Sequence, residues 1–141
     1  RLDWKRDIDD PETVVIANRY TTANAVHQLA KLPREEWDGF LSWLWDYEFG
    51  KLGIPAPDDV IYLEMLPEIS LRLLKSRTDA TGRAADIHEA DRHFIENSYK
   101  AAMYASDKLG WTRIVCYRDG EPLSRGEIHG MITDRLGFAG L

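Results

Sequence analysis

Cysteine is nearly absent from the 141 residues, and no apolar run is long enough for a membrane helix. The single cysteine, Cys116, has no second cysteine to pair with, so no disulfide can form within the chain. We therefore expect a protein of the reducing cytoplasm. A membrane helix needs roughly 18 apolar residues, and the charged start at residues 1–6 leads into no signal-like apolar core. The sequence thus predicts a soluble, unexported protein without a membrane partner.

The chain also has fewer basic than acidic residues. The chain has 18 Lys and Arg against 24 Asp and Glu, which gives a net charge of −6. Nucleic-acid grooves are lined by clustered Lys and Arg, so this balance argues against a nucleic-acid partner. A few arginines are enough to bind a small anion. With 44% hydrophobic and 30% charged residues, the chain 1–141 has the composition of one ordinary domain.

Three short runs have the character of strands that are covered on both faces. They are β-branched and nearly continuous in apolarity, and they lie at residues 13–17, 60–65 and 112–117. Segments with helical periodicity separate them, and this alternation is typical of βαβ units. The sequence therefore predicts an α/β fold with a parallel sheet and flanking helices.

The segment 34–51 predicts a helix with a wide apolar surface. One face carries Trp37, Leu41, Leu44 and Glu48. The apolar surface is widened around the axis by Phe40, Trp43, Trp45 and Tyr47. One buried stripe does not account for both sets. Either the domain nearly encloses this helix, or the region from Trp37 to Tyr47 forms the interface of a homodimer, because aromatic residues are enriched at interfaces.

Three further helices follow from their start and stop signals. A proline suits a first helical turn, so a helix is predicted from 67 to about 77, followed by a loop over 76–85. A long helix is predicted from about 87 to 109, with Gly110 as its stop. Its inward-facing residues are predicted to be Phe94, Ile95, Tyr99, Ala102 and Leu109. A capping-box pattern, Ser124 with Glu127, opens the last helix.

The residues after the first predicted strand carry the clearest chemistry. Ligands of open parallel sheets bind beyond the carboxyl ends of the strands, and the polar run 18–28 begins at that place. Arg19 is the sharpest candidate, because a guanidinium held there could grip a phosphate through two hydrogen bonds. The alternative is an arginine that pairs with a carboxylate on a helix.

The run that begins Asn18-Arg19-Tyr20 resembles the signature of the thymidylate kinase family. In that family Asp-Arg-Tyr or Asp-Arg-His follows the third strand, and polar residues follow in the next helix. The resemblance implies that Arg19 holds the phosphate of the acceptor nucleotide, while Asn24 contacts the thymine edge. The substrate-binding residues implied in this way are Arg19, Tyr20, Asn24, His27 and Gln28. His27 replaces the usual Tyr or Phe beneath the deoxyribose, Asn18 replaces the usual Asp, and Ala23 replaces the usual Ser.

The resemblance continues downstream and spans about residues 13 to 136. Residues 57–64 are similar to the family's fourth strand, with Glu64 in place of Asp, and 72–83 resemble the arginine-bearing run into a lid at about 76–89. The family likeness implies that Arg77 or Arg83 closes over the migrating phosphoryl group. The catalytic residues implied are therefore Arg19, Arg77 and Arg83, and two further matches to the family are Glu89 and Tyr99.

Each downstream match also has a structural alternative. Glu89 lies three residues after Asp86, and this spacing is that of a capping box. Arg77 and Arg83 could be solvated loop charges. Tyr99 could belong to the core.

The phosphate-binding loop of such kinases, G-x-x-x-x-G-K-[ST], does not occur in the 141 residues. The family carries it at the end of a first strand that lies between the third and fourth, so segments near Val14 and Val60 would flank an empty slot. The resemblance thus implies a P-loop NTPase or nucleoside monophosphate kinase-like parallel sheet with flanking helices, incomplete because its central strand is absent. A first residue other than Met also suggests a truncation. We expect such a chain to be unstable alone, since unpaired backbone is costly.

The parts implied are an acceptor-binding region at 13–56, the lid, and a C-terminal strand and helix at 112–137. The activity implied is transfer of the ATP γ-phosphoryl group to dTMP, giving dTDP, with ATP and Mg²⁺ bound mainly by residues that this chain does not contain. No metal site is predicted from the chain itself, because His88 and His93 are five residues apart and miss the H-E-x-x-H spacing. Two alternatives stay open: another nucleotide or deoxynucleoside kinase, and a non-catalytic nucleotide-binding or interaction module.

Overall fold

The computed structural model describes residues 5–10, 12–80 and 89–138. In chain order the helices and strands are α1 (Lys5–Ile8), α2 (Ala23–Leu29), a 3₁₀ turn (Arg34–Glu36), α3 (Trp37–Trp45), a π-helical segment (Asp46–Lys51), β1 (Ile61–Glu64), α4 (Pro67–Ala80), α5 (Glu89–Leu109), β2 (Thr112–Val115), β3 (Tyr117–Arg118), β4 (Glu121–Pro122) and α6 (Arg125–Leu136). None of the described helices combines the length and the apolar character needed to cross a membrane.

Two of the three predicted strands form a small parallel sheet. Strand β1 pairs with β2 so that Ile61 lies opposite Thr112 and Glu64 opposite Val115. The ladder continues beyond the strands, where the Cys116 amide donates to the Glu64 carbonyl at 2.9 Å. Helices α4 and α5 lie in the connection between the two strands, as parallel pairing requires. The α/β architecture with a parallel sheet is therefore confirmed.

The prediction of a first strand at 13–17 was wrong. These residues form no strand, and the side chains of Val14, Val15 and Ile16 are 60%, 46% and 75% exposed. Their β-branched character favours extended backbone, but a strand also needs a neighbour that accepts its hydrogen bonds. Within the described residues no segment pairs with this one. Arg19 consequently follows an exposed extended segment rather than a buried strand.

The predicted faces of the 34–51 helix are confirmed. The four residues predicted to share a face are all buried: Trp37, Leu41, Leu44 and Glu48. The three apolar members pack against Ala25 and Leu29 of α2 and against Ala101 and Ala105 of α5. The residues that flank this face stay open, because Trp43, Trp45 and Tyr47 are 52%, 42% and 40% exposed. The described part of the chain therefore does not enclose this helix, and the choice between enclosure by the whole domain and a homodimer interface stays a prediction.

The other helices follow the sequence signals closely. Helix α4 extends to Ala80, so the prediction of a loop over 76–85 was wrong for residues 76–80, and residues 81–88 lie outside the described part. Gly110 ends α5 with a φ of 70°, a value that glycine adopts without strain. The capping box is present, since the Glu127 amide donates to Ser124 Oγ and the Ser124 amide to Glu127 Oε2. Phe94 was wrongly predicted as an inward residue, because 39% of it is exposed.

Candidate functional site

Arg19 lies in a backbone conformation that is uncommon for a residue with a side chain. Its φ is 65°, in the left-handed region, and the turn that follows leads directly into α2. The Ala23 and Asn24 amides donate to the Tyr20 and Thr21 carbonyls at 3.0 and 2.9 Å, which closes this turn. The Arg19 side chain is exposed, and no carboxylate of the described residues lies within ion-pair distance of it. A structural pairing of Arg19 with a carboxylate is thus not found in that part.

Tyr20 connects the same turn to the loop before β1. Its hydroxyl donates to the Pro55 carbonyl at 3.0 Å. Burial raises the pKa of Tyr20, and the negative charge of Glu48 raises it further. The hydroxyl therefore stays protonated at physiological pH and holds the Pro55 loop against the start of α2.

Asn24 is held by a buried carboxylate that the sequence reasoning did not assign to the site. The Asn24 side-chain amide donates to Glu48 Oε1 at 3.3 Å, and Glu48 is only 9% exposed. A buried carboxylate needs a donor, which Asn24 supplies. The signal was present in the sequence, because Glu48 was the one charged residue on an otherwise apolar helix face. With its amide nitrogen engaged by Glu48, Asn24 has its carbonyl oxygen left to accept a hydrogen bond.

His27 and Gln28 lie on α2, three and four residues after Asn24, and so on the same side of that helix. The His27 ring is nearly parallel to the Phe94 ring, at 10° and with 6.4 Å between centroids. The pKa of His27 is lowered by burial first and then by the positive charges of Arg19 and Lys31. The imidazole is therefore neutral at pH 7, and Arg19 lies close enough to affect it. Gln28 is exposed.

Tyr99 lies in a different cluster at the carboxyl end of the parallel sheet. Its hydroxyl donates to Glu64 Oε1 at 3.0 Å, and the Tyr117 hydroxyl is 3.4 Å from the same oxygen. Glu64 is 8% exposed. Burial and the bond to Glu64 raise the pKa of Tyr99 to about 12. Tyr99 therefore acts here as the hydrogen-bond donor of a buried carboxylate.

The remaining predicted site residues are only partly covered by the structure. Arg77 is exposed on the last turns of α4, and Arg83 lies outside the described residues. Helix α5 begins at Glu89, but the side chain of that residue is outside the described part, as is Asp86. The structure therefore places Arg19 and Tyr20 on the turn before α2 and Asn24, His27 and Gln28 along one side of that helix, and it leaves the lid residues untested.

The described part of the chain contains no group of side chains arranged as ligands of a magnesium ion. Over residues 5–10, 12–80 and 89–138, no three His, Cys, Asp or Glu side chains converge as metal ligands would. Each of the two buried carboxylates of the clusters above, Glu48 and Glu64, already accepts hydrogen bonds from the chain. These residues do not fit a bound magnesium ion.

Comparison with known proteins finds similarity to thymidylate kinases. Thymidylate kinases from two strains of Mycobacterium tuberculosis are each 31% identical to the chain over 100 residues. The matched residues cover 70% of this chain and 46% of each relative, so the chain spans about half the length of the curated relatives it matches. No protein-family model matches the chain. No solved structure matches it either.

Proposed function

We propose that the chain is the acceptor-binding part of a thymidylate kinase, which in its intact form transfers the γ-phosphoryl group of ATP to dTMP and releases dTDP. The observation that carries the proposal is Arg19, an exposed guanidinium on a left-handed turn, with Asn24, His27 and Gln28 following on one side of α2. The 31% identity to thymidylate kinases over 100 residues supports it.

Arg19 would hold the 5′-phosphate of the acceptor. An arginine presents a planar fork of donors that matches two phosphate oxygens, and it keeps its charge at any physiological pH. Burial, and then the positive charges of Arg19 and Lys31, lower the pKa of His27 and favour the neutral imidazole, so the ring does not attract the phosphate itself. Phosphoryl transfer depends mainly on positioning and on electrostatic stabilisation. Loss of the Arg19 guanidinium therefore removes the group that places the nucleophilic phosphate oxygen.

Asn24 and its partner Glu48 would select the base. The Asn24 amide nitrogen donates to Glu48, so the carbonyl oxygen is the atom left for a ligand. Thymine carries an N–H donor at N3, whereas cytosine carries an acceptor there. The arrangement therefore favours thymine or uracil over cytosine, with Gln28 as a second polar contact and the His27 ring against the sugar.

Other parts of the reaction would come from residues around this site. Arg77 or Arg83 would close over the migrating phosphoryl group from the lid. ATP and Mg²⁺ would be held mainly by a phosphate-binding loop, which is not among the 141 residues. The region from Trp37 to Tyr47, in which Trp43, Trp45 and Tyr47 are exposed, is the proposed interface of a homodimer.

Steady-state kinetics of the full-length protein test the assignment. With ATP as donor we expect turnover of dTMP, weaker turnover of dUMP, and little of dCMP or thymidine. Arg19→Ala is expected to reduce kcat/KM for dTMP by at least about a hundredfold, since it removes charge-assisted bonds to the acceptor phosphate. Arg125→Ala, an exposed arginine at the start of α6, is the matched control and should change it less than about twofold. Near-wild-type activity of Arg19→Ala would refute the assignment.

A further inference from the structure

A second candidate binding site lies at the other end of α2, where that helix meets α5. It is an open hollow of about 450 Å³, lined by Ala30, Leu32, Arg34, Trp37, Asn97, Lys100 and Tyr104. This volume lies within the range of small-molecule sites. Arg19 precedes the first residue of α2 and does not line the hollow, and the seven residues of α2 separate the two places by about 10 Å.

The hollow carries two positive charges that form no ion pair with any carboxylate of the described residues. Arg34 and Lys100 are both exposed, and neither has an ion pair within the parts of the chain that the structure describes. Six other basic residues do have carboxylate partners: Lys51, Arg72, Lys108, Arg113, Arg118 and Arg135. In a chain with a net charge of −6, two unpaired cations on one small hollow mark a place where an anion is favoured.

The Arg34 guanidinium is also held in position. It lies 3.9 Å from the centre of the Tyr104 ring and 4.9 Å from that of Trp37, which are cation–π distances. The Trp37 indole nitrogen donates to the Leu32 carbonyl at 3.1 Å, and the Tyr104 hydroxyl donates to Asp38. Both rings are therefore fixed. A guanidinium that is fixed in this way loses less conformational entropy when it binds a ligand.

Asp38 forms no ion pair with Arg34, whose charge is the last of the causes that lower the pKa of Asp38. Asp38 is paired with Lys108 at 2.8 Å, and it also accepts the Tyr104 hydroxyl bond. The bond from Lys108 is the first cause of the lowered pKa of Asp38. Because this carboxylate is already neutralised by another cation, the donors of Arg34 remain available on the open side of the hollow.

We infer that this hollow binds the phosphoryl group of a small phosphorylated metabolite, at a site separate from the one around Arg19. The Arg34 fork and the Lys100 ammonium offer donors from two helical regions. The Asn97 amide nitrogen contacts His93 Nδ1 at 3.3 Å, and its second N–H is the third donor. Three donor groups match the three terminal oxygens of a phosphoryl group better than the two oxygens of a carboxylate. The apolar Ala30 and Leu32 would line the remainder of the ligand.

Isothermal titration calorimetry on the full-length protein tests this site with pyrophosphate as the probe. Arg34→Gln and Lys100→Gln are each expected to weaken pyrophosphate binding about tenfold, because each removes a charge-assisted contact. Within the described residues the Lys100 side chain has neither a hydrogen bond nor an ion pair, so its replacement is expected to leave the fold intact. Arg125→Gln makes the same change of charge on α6, and Arg19→Gln makes it at the acceptor site. Both variants are expected to bind pyrophosphate in the hollow with an affinity within about twofold of the wild type.

The outcomes separate this site from general electrostatics and from the proposed kinase activity. Equal weakening by Arg125→Gln and Lys100→Gln would overturn the inference, and so would pyrophosphate binding that no variant changes. Glutarate, a dicarboxylate, should bind at least about tenfold more weakly than pyrophosphate, and equal affinity would overturn the phosphoryl assignment. A loss of binding confined to Arg34→Gln and Lys100→Gln supports the site whether or not the protein phosphorylates dTMP.

Discussion

The side-chain amide of Asn24 donates a hydrogen bond to Glu48 across 24 residues of sequence, at 3.3 Å. The bond joins a polar residue on α2 to a carboxylate of the π-helical segment. That carboxylate is buried on the apolar face that α3 and this segment share. It gives the amide one orientation, in which oxygen rather than nitrogen is presented outward. In the proposed site, the choice between thymine and cytosine would therefore be set partly by a residue that does not touch the nucleotide.

Replacing Glu48 with Gln tests this orientation. Gln has nearly the same shape but can donate as well as accept, so the Asn24 amide is free to turn over. We expect discrimination between dTMP and dCMP, measured as the ratio of Kd values, to fall roughly tenfold, in line with one misplaced hydrogen bond. Glu36→Gln, an exposed carboxylate on the 3₁₀ turn, is the control. An unchanged ratio in Glu48→Gln would remove Glu48 from the account of specificity.

Replacing Tyr99 with Phe tests the cluster at the end of the sheet. The change removes the donor that lies 3.0 Å from the buried Glu64, and leaves it the longer contact with Tyr117 at 3.4 Å. We expect the free energy of unfolding to fall by about 1–2 kcal/mol, because a buried carboxylate loses its better hydrogen bond. Tyr47→Phe, on the exposed surface of the π-helical segment, should change it by less than about 0.5 kcal/mol. Chemical denaturation at neutral pH measures both, and equal effects would contradict the role given to Tyr99.

The same tyrosine predicts a loss of stability at alkaline pH. Its pKa is about 12 in the folded chain, against an ordinary value of 10. A raised folded pKa means that the stabilisation is complete below pH 10 and is lost as the pH rises from 10 through 12. The free energy of unfolding should therefore decline more steeply in this window for the wild type than for Tyr99→Phe. Parallel curves for the two proteins would show that Tyr99 does not contribute.

Replacing Trp43 with Glu tests the proposed dimer. Trp43 is 52% exposed and stacks on Tyr47, with 5.3 Å between ring centres, so it forms part of a continuous aromatic surface. A charge placed there would be desolvated in an interface. Analytical ultracentrifugation of the full-length protein should show a dimer for the wild type and a monomer for this variant. Leu73→Glu, an exposed apolar residue on α4, should stay dimeric. A monomeric wild type would remove the dimer from the proposal.

Much of the local structure could be predicted from the sequence, because it depends on neighbouring residues. The buried face of α3, the stop at Gly110 and the Ser124–Glu127 box each arise within a few turns of one helix. The absence of a strand at 13–17 could not be predicted, because β-branched residues form a strand only beside a segment that pairs with them. Whether such a partner exists is not encoded in those five residues.

The contacts of the two candidate sites could be predicted only in part. Arg19 was singled out by its place after a predicted buried strand, which is absent, and by the Asn18-Arg19-Tyr20 run, whereas its left-handed backbone was not predicted. The Asn24–Glu48 bond and the meeting of Arg34 with Lys100 join residues that are distant in the sequence. Only the packing of α2 against α3 and α5 brings these residues together, so no local sequence pattern predicts their contacts.

The positive φ of Arg19 has a consequence for its own substitution. A glycine would adopt that conformation freely, whereas an alanine would retain the steric penalty of a Cβ. Comparing glycine with alanine at this position would thus separate the cost of the turn from the contribution of the guanidinium. The native arginine retains this steric penalty, and with it the guanidinium that the proposed site requires.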